Sequence, residues 1–183
     1  MIIIGITGTL GAGKGTVVEY LLNTKGFKHY SARAFITEEI SRCGLPVNRD
    51  SMVLVGNDLR VQHGPAYVIE ELYKQALAAG GDAVIESLRT PGEVAAMRSK
   101  ANFSLWAVNA DIKTRYERVK TRATETDFIS FDEFATQEER EMHSDDPNKQ
   151  NLAECIKQAD FVLTNNGSFD ELYAQIGKIL ERI

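Results

Sequence analysis

With 183 residues, 43% of them hydrophobic and 26% charged, the chain has the size and composition of one globular domain with a substantial core. A formal net charge of −5 argues against a general polyanion-binding surface, so nucleic acid is not an expected partner and any positive charge that matters must be local. No apolar run approaches the ~20 residues of a membrane span, no signal peptide precedes the first strand, and Cys43 and Cys155 lack C-x-x-C spacing. A cytoplasmic protein with free thiols and no membrane partner is the expectation.

Apolar runs of strand type fall at Ile2–Ile6, Ala83–Ile85, Phe103–Val108 and Phe161–Leu163, with a weaker one at Phe27–Tyr30. Helical spacing separates them and is clearest at the end, where Phe169, Leu172, Tyr173, Ile176, Ile179, Leu180 and Ile183 recur at steps of three and one. Capping-box patterns at Thr90–Glu93, Ser130–Glu133 and Ser168–Glu171 mark three helix starts, the first with Pro91 at its opening position. Uniformly apolar strands alternating with helices predict an α/β domain over residues 1–183: a five-stranded, parallel, doubly wound sheet with helices on both faces. Residues 31 to about 79 show helical patterning without a convincing strand and read as an all-helical insert. Residues 123 to about 149 are polar and acidic, either a solvated loop with a surface helix or a lid that excludes water during a reaction.

The first strand runs into Gly8-Thr9-Leu10-Gly11-Ala12-Gly13-Lys14-Gly15-Thr16, which fits the G-x-x-x-x-G-K pattern with a strand before and a helix after. Gly8, Gly11 and Gly13 free the backbone to turn N–H groups inward onto anionic oxygens. The helix dipole adds positive potential, and the Lys14 ammonium reaches the β- and γ-phosphates of a nucleoside triphosphate. ATP is therefore an expected ligand, bound by Gly8, Gly11, Ala12, Gly13, Lys14, Gly15 and Thr16. Gly15 stands where the commoner loop has a hydroxyl ligand for Mg²⁺, which leaves Thr16 as the candidate. Ala83-Val84-Ile85-Glu86 ends a strand on a carboxylate, so Glu86 is a candidate to organise Mg²⁺ or the acceptor. Arg89, three residues on, can meet an acceptor phosphate with a bidentate fork.

The Gly-x-Gly-Lys-Gly-Thr loop resembles that of adenylate kinases, and the layout resembles the nucleoside monophosphate kinase and dephospho-CoA kinase branch of the P-loop fold. That resemblance implies phosphoryl transfer to a small molecule. It implies an acceptor site in the helical insert, with Arg33 and Arg60 on the acceptor phosphate and Ser31 or Asp58 on its sugar or base. Arg115, Arg118 and Arg122 share one helix face, and the resemblance implies that Arg118 and Arg122 neutralise the transferring phosphoryl. It also implies adenine contacts from the loop Asn165-Asn166-Gly167-Ser168, with Asn166 the chosen residue.

The turn Tyr30-Ser31-Ala32-Arg33 carries an arginine where dephospho-CoA kinases have carboxylates, which favours a nucleoside or deoxynucleoside monophosphate as acceptor. Dephospho-CoA stays open, because Glu86 could take a proton from a hydroxyl. No Asn-Lys-x-Asp motif marks a GTPase. A nucleotide-sensing domain without catalysis is the remaining alternative, supported by Glu86 in place of Asp and by Gly15. The three histidines lack metal-type spacing and receive no role.

Overall fold

A central strand covered on both faces explains why the chain opens on an unbroken apolar run: every residue of β1 (Ile3–Thr7) is buried. Ile3, Ile4 and Gly5 lie in parallel register with Ala83, Val84 and Ile85 of β3 (Ala83–Glu86) on one side. On the other they face Phe103, Ser104 and Leu105 of β4 (Phe103–Asn109). β2 (Lys28–Ser31) pairs outside β3 and β5 (Phe161–Thr164) outside β4, which gives a fully parallel sheet in the order β2-β3-β1-β4-β5. The computed structural model describes residues 1–122, 130–146 and 148–183.

The alternation of side chains along the strands feeds two cores. Ile4, Ile6, Val84, Trp106 and Val108 point to the face covered by α1 (Lys14–Lys25) and α9 (Phe169–Leu180), where Val17, Leu21, Leu172 and Ile176 meet them. Ile3, Ile85 and Leu105 point to the opposite face, packed by α2 (Ala32–Arg42), α3 (Arg49–His63), α4 (Tyr67–Ala79), α5 (Pro91–Arg98) and α8 (Leu152–Lys157). Buried Trp106 keeps its indole N–H satisfied by donating to Ser104 Oγ at 3.0 Å. All three capping boxes form, each worth about 1 kcal/mol to its helix.

The expected helical stretch after β2 consists of three helices with different jobs. α4 packs against β2 and β3 through buried Val68, Ile69, Leu72 and Ala76, as the crossover of a β-α-β unit must. α2 and α3 form the excursion that walls the cleft. After β4 come α6 (Ile112–Arg122) and α7 (Phe131–Met142). The polar stretch read as a solvated loop with a surface helix, or as a lid, contains α7, docked through Phe134, which is 1% exposed and packs edge-on to Tyr116 of α6. Residues 123–129 and Pro147 of that stretch lie outside the described residues. Among the described residues no helix is long and apolar enough to cross a membrane.

Candidate active site

The loop between β1 and α1 sits at the carboxyl end of the central strand, where open α/β sheets bind ligands. Gly8, Gly11 and Gly13 adopt φ of +137°, +78° and +97°. A side chain is also excluded by space, since a Cβ would fall 2.3 Å from the Val108 carbonyl oxygen, 2.5 Å from the Arg115 carbonyl oxygen and 2.1 Å from Asn165 Nδ2 respectively. Gly13 caps α1 without any side-chain bond, so the first N–H groups of that helix keep their capacity for a ligand. Lys14 Nζ folds back and donates to the Gly8 and Thr9 carbonyls, both at 2.8 Å. Burial, then the positive charge of Arg89, lowers its pKa from the ordinary lysine value to about 7, against the pull of Glu86 and Glu141. Thr9 Oγ1 is buried in the same loop without a hydrogen-bond partner among the described residues.

Glu86 closes β3 on the same cleft and pairs with His29 Nε2 of the neighbouring edge strand at 3.1 Å. Burial alone would raise its pKa, but the His29 hydrogen bond and the charge of Lys14 outweigh burial and hold the carboxyl below its ordinary value. The chain then turns sharply. Ser87 takes a left-handed φ of 78°, and the N–H groups of Ser87 and Leu88 share the Ile6 carbonyl at 2.9 and 3.1 Å. Thr7 Oγ1 donates to the Leu88 carbonyl at 2.8 Å, tying this turn to the end of β1. The result aims Glu86 and Arg89 into one cleft of about 490 Å³ with Lys14, Thr16, Ser31, Arg33, Arg118 and Arg122 along its walls.

The arginines divide by what already holds them. Arg118 NH1 is buried on the cleft wall without a hydrogen-bond partner among the described residues. Arg115, on the same helix, is 5% exposed: it bonds the Ala110 and Leu10 carbonyls and pairs with both oxygens of Glu138, so it braces the loop. Arg122 lines the cleft from an exposed position, and Arg33 stands exposed at its rim in the first turn of α2, where Ser31 Oγ caps the helix by accepting from the Ala34 N–H.

Arg60 lines the cleft and is also half of a buried ion pair. Only 3% exposed, it directs Nε and NH2 to Glu93 Oε1 at 3.1 and 3.0 Å. Glu93 belongs to the capping box of α5, so two nitrogens of this guanidinium are tied to the core. Asn166 uses its Oδ1 to accept from the Asp111 N–H at 2.8 Å. Its neighbour Asn165 is the residue that touches the loop, donating from Nδ2 to the Ala12 carbonyl at 2.9 Å.

Sequence reasoning passes over His29, Arg49 and Glu141, and within the loop Asn165–Ser168 it singles out Asn166 and gives Asn165 no role of its own. The pairing of β2 beside β3 is what brings His29 to Glu86, and no local pattern announces it. Asn165 had a signal, because the first polar residue after the last strand of this topology lies beside the loop.

A phosphate cradle at the mouth of a helix, on the central strand of a parallel β2-β3-β1-β4-β5 sheet, defines a P-loop kinase-like domain. More narrowly, the chain belongs to the AAA domain family, whose model matches residues 4–144. It is similar to a UPF0200 protein of Pyrobaculum aerophilum, 29% identical over 97% of this chain and 96% of the other. A UPF0200 protein of Thermococcus kodakarensis is 28% identical over 100% and 98%. Among solved structures, TT1252 from Thermus thermophilus superposes with a TM-score of 0.61 at 23% identity, covering 100% of this chain and 97% of that one. Shikimate kinase from Bacteroides thetaiotaomicron gives 0.59 at 14% identity, over 98% and 97%. These likenesses carry the fold.

Proposed function

We propose that the protein is a kinase that transfers the γ-phosphoryl group of ATP to a nucleoside or deoxynucleoside monophosphate. The observation that carries this reading is the composition of one cleft. It joins a loop shaped for phosphate, with Lys14, to Arg118, whose buried NH1 has no hydrogen-bond partner among the described residues, and to the acceptor-side Arg89.

Lys14 leaves the two loop carbonyls and turns to the β- and γ-phosphates, which restore the charge that burial discourages. An oxygen of the acceptor phosphate bonds to the γ-phosphorus while the bond to the β,γ-bridging oxygen breaks, and ADP departs with that electron pair. Arg118 and Arg122 neutralise the equatorial oxygens, where charge spreads in the transition state. Arg89 and Arg33 hold the acceptor phosphate, and Ser31 its sugar or base. Backbone groups around Asn166 border the adenine.

Mg²⁺ fits this site as part of a triphosphate complex. Among the described residues no cluster of three or more His, Cys, Asp or Glu side chains forms a metal site by itself, so Thr16 and Glu86 would hold the ion together with phosphate oxygens. Bound there, it would supply positive charge to neutralise the triphosphate.

A hydroxyl acceptor, such as dephospho-CoA, is the second reading. It is favoured by the Glu86 carboxylate, ionised and oriented by His29 as a base would be. Incubation with Mg-ATP and a pool of every ribo- and deoxyribonucleoside monophosphate plus dephospho-CoA, read by mass spectrometry, tests both. A new diphosphate supports the first reading and CoA the second. ATP binding without transfer to any acceptor would remove both and leave nucleotide sensing.

A further inference from the structure

Two guanidinium groups approach one carboxylate on the wall of the cleft. Arg49 opens α3, Arg89 lies in the turn after β3, and Glu141 stands near the end of α7. Glu141 Oε1 accepts from Arg49 NH2 at 2.5 Å and Oε2 from Arg89 NH1 at 3.0 Å, while Gln150 Oε1 accepts from the same Arg89 nitrogen at 2.7 Å. All four side chains line the cleft that holds Lys14. The carboxylate is 12% exposed, and the arginines are 24% and 28% exposed. Two cations around one monoanion leave a formal charge of +1, in a pocket where further positive groups face the same space.

Two parallel-acting guanidinium groups that each take one oxygen of a shared anion are a binding arrangement for a tetrahedral oxyanion. We propose that Arg49 and Arg89 form the oxyanion subsite for the acceptor, that Glu141 fills it in the acceptor-free protein, and that a phosphate monoester dianion displaces Glu141 on binding. This rests on the kinase reading of the cleft and adds to it Arg49, the self-occupying Glu141 and a charge criterion for the acceptor. A dianion brings the pair to neutrality where a carboxylate cannot, so a phosphate monoester outcompetes a carboxylate of similar size. The helix need not leave with the side chain. α7 is anchored independently, by Phe134 against Tyr116 and by Glu138 on Arg115, so rotation of Glu141 in its last turn is enough. The device lowers apparent affinity for a weak anion by the fraction of time the subsite is self-filled.

The test is calorimetric titration of inorganic phosphate, and separately of acetate, into protein first saturated with Mg²⁺ and a non-hydrolysable ATP analogue. Glu141→Gln should bind phosphate at least about 10-fold more tightly than the parent, Arg49→Met should lose that binding, and acetate should bind more weakly than phosphate throughout. Unchanged or weaker phosphate binding in Glu141→Gln, or parent-like binding in Arg49→Met, overturns the proposal. Near-UV circular dichroism checks each fold. If Glu141→Gln does not fold, Glu141→Asp, one methylene shorter, should also tighten phosphate binding, and no change there overturns the proposal. The two readings fail separately. Loss of analogue binding in the parent strikes the kinase reading, while the same comparison of variants without the analogue still decides the subsite.

Discussion

Asn165 Nδ2 lies where a Cβ on Gly13 would fall, 2.1 Å from its ideal position, and donates to the Ala12 carbonyl at 2.9 Å. The end of the last strand thus moulds the phosphate loop from beneath. Asn165 is 3% exposed, so its amide has no water to turn to. Asn165→Ala leaves the Ala12 carbonyl without this donor and should cost about 1–3 kcal/mol of stability. ATP affinity should fall with it, because the loop loses its template. A thermal melt with and without ATP reads both effects. Parent-like ATP affinity in a folded Asn165→Ala variant would show that the loop holds its shape alone.

Lys14 gives a signed pH dependence. Burial, then Arg89, brings its pKa from 10.5 to about 7 in the nucleotide-free protein. Between those two values the unfolded chain binds more protons than the folded one, so the Lys14 contribution to stability rises with pH through that window. Below about 7 both states are protonated and the contribution is flat. A bound triphosphate restores the protonated form, so ATP binding at pH 8 should take up a proton. Calorimetry in two buffers of different ionisation enthalpy measures the uptake. Proton-neutral binding at that pH would contradict a buried lysine that is mostly neutral there, and Lys14→Met should abolish both uptake and phosphoryl transfer.

What the sequence disclosed and what it withheld divide along the range of the interactions. The loop at Gly8–Lys14, the strands and the three capping boxes are local patterns, and each is present within a residue or two of its expected position. Contacts across the sheet are not local. His29 and Glu86 are 57 residues apart, and Arg49 and Glu141 are 92 apart. Arg60 shows the same limit: an arginine on a helix near an expected acceptor site carries no mark that reveals its pairing with buried Glu93. Glu93 carried the missing clue in its capping box, but only tertiary packing brings Arg60 to it. The acidic run before residue 149 hides its docking contacts for a related reason, since Phe131 and Phe134 meet Tyr116, and Arg115 meets Glu138, only in the folded chain.

The Arg60–Glu93 pair should therefore govern stability. Glu93 Oε1 accepts twice from Arg60, and Oε2 accepts from the N–H groups of Arg89 and Thr90 at 2.6 and 3.0 Å. With the two side chains 3% and 1% exposed, removing either partner strands a buried charge. Arg60→Met should destabilise by about 3–5 kcal/mol, seen as a lower urea midpoint. The acceptor KM of the remaining folded enzyme should stay within about threefold of the parent, under 1 kcal/mol by the usual conversion. A raised KM with unchanged stability would return Arg60 to the acceptor site.

Arg115 and Arg118 stand three residues apart on α6 and should separate cleanly in a mutant pair. Arg115 is bonded on every side, to the Leu10 and Ala110 carbonyls and to Glu138, so its replacement disturbs the loop and α7 before any chemistry begins. Arg118 has a buried nitrogen without a partner among the described residues, a costly state that an anion in the cleft would relieve. Arg118→Lys keeps the charge but loses the planar fork. Single-turnover transfer should slow by about 10³-fold, the lower range for arginines that act on a transferring phosphoryl, with the melting temperature and ATP affinity close to those of the parent. Arg115→Lys should show the reverse: a lowered melting temperature and weaker ATP binding, with a much smaller loss of rate at saturating ATP. If both variants lose rate and stability in parallel, Arg118 is a structural residue, and the charge on the transferring group must be met by Lys14 and Arg122 instead.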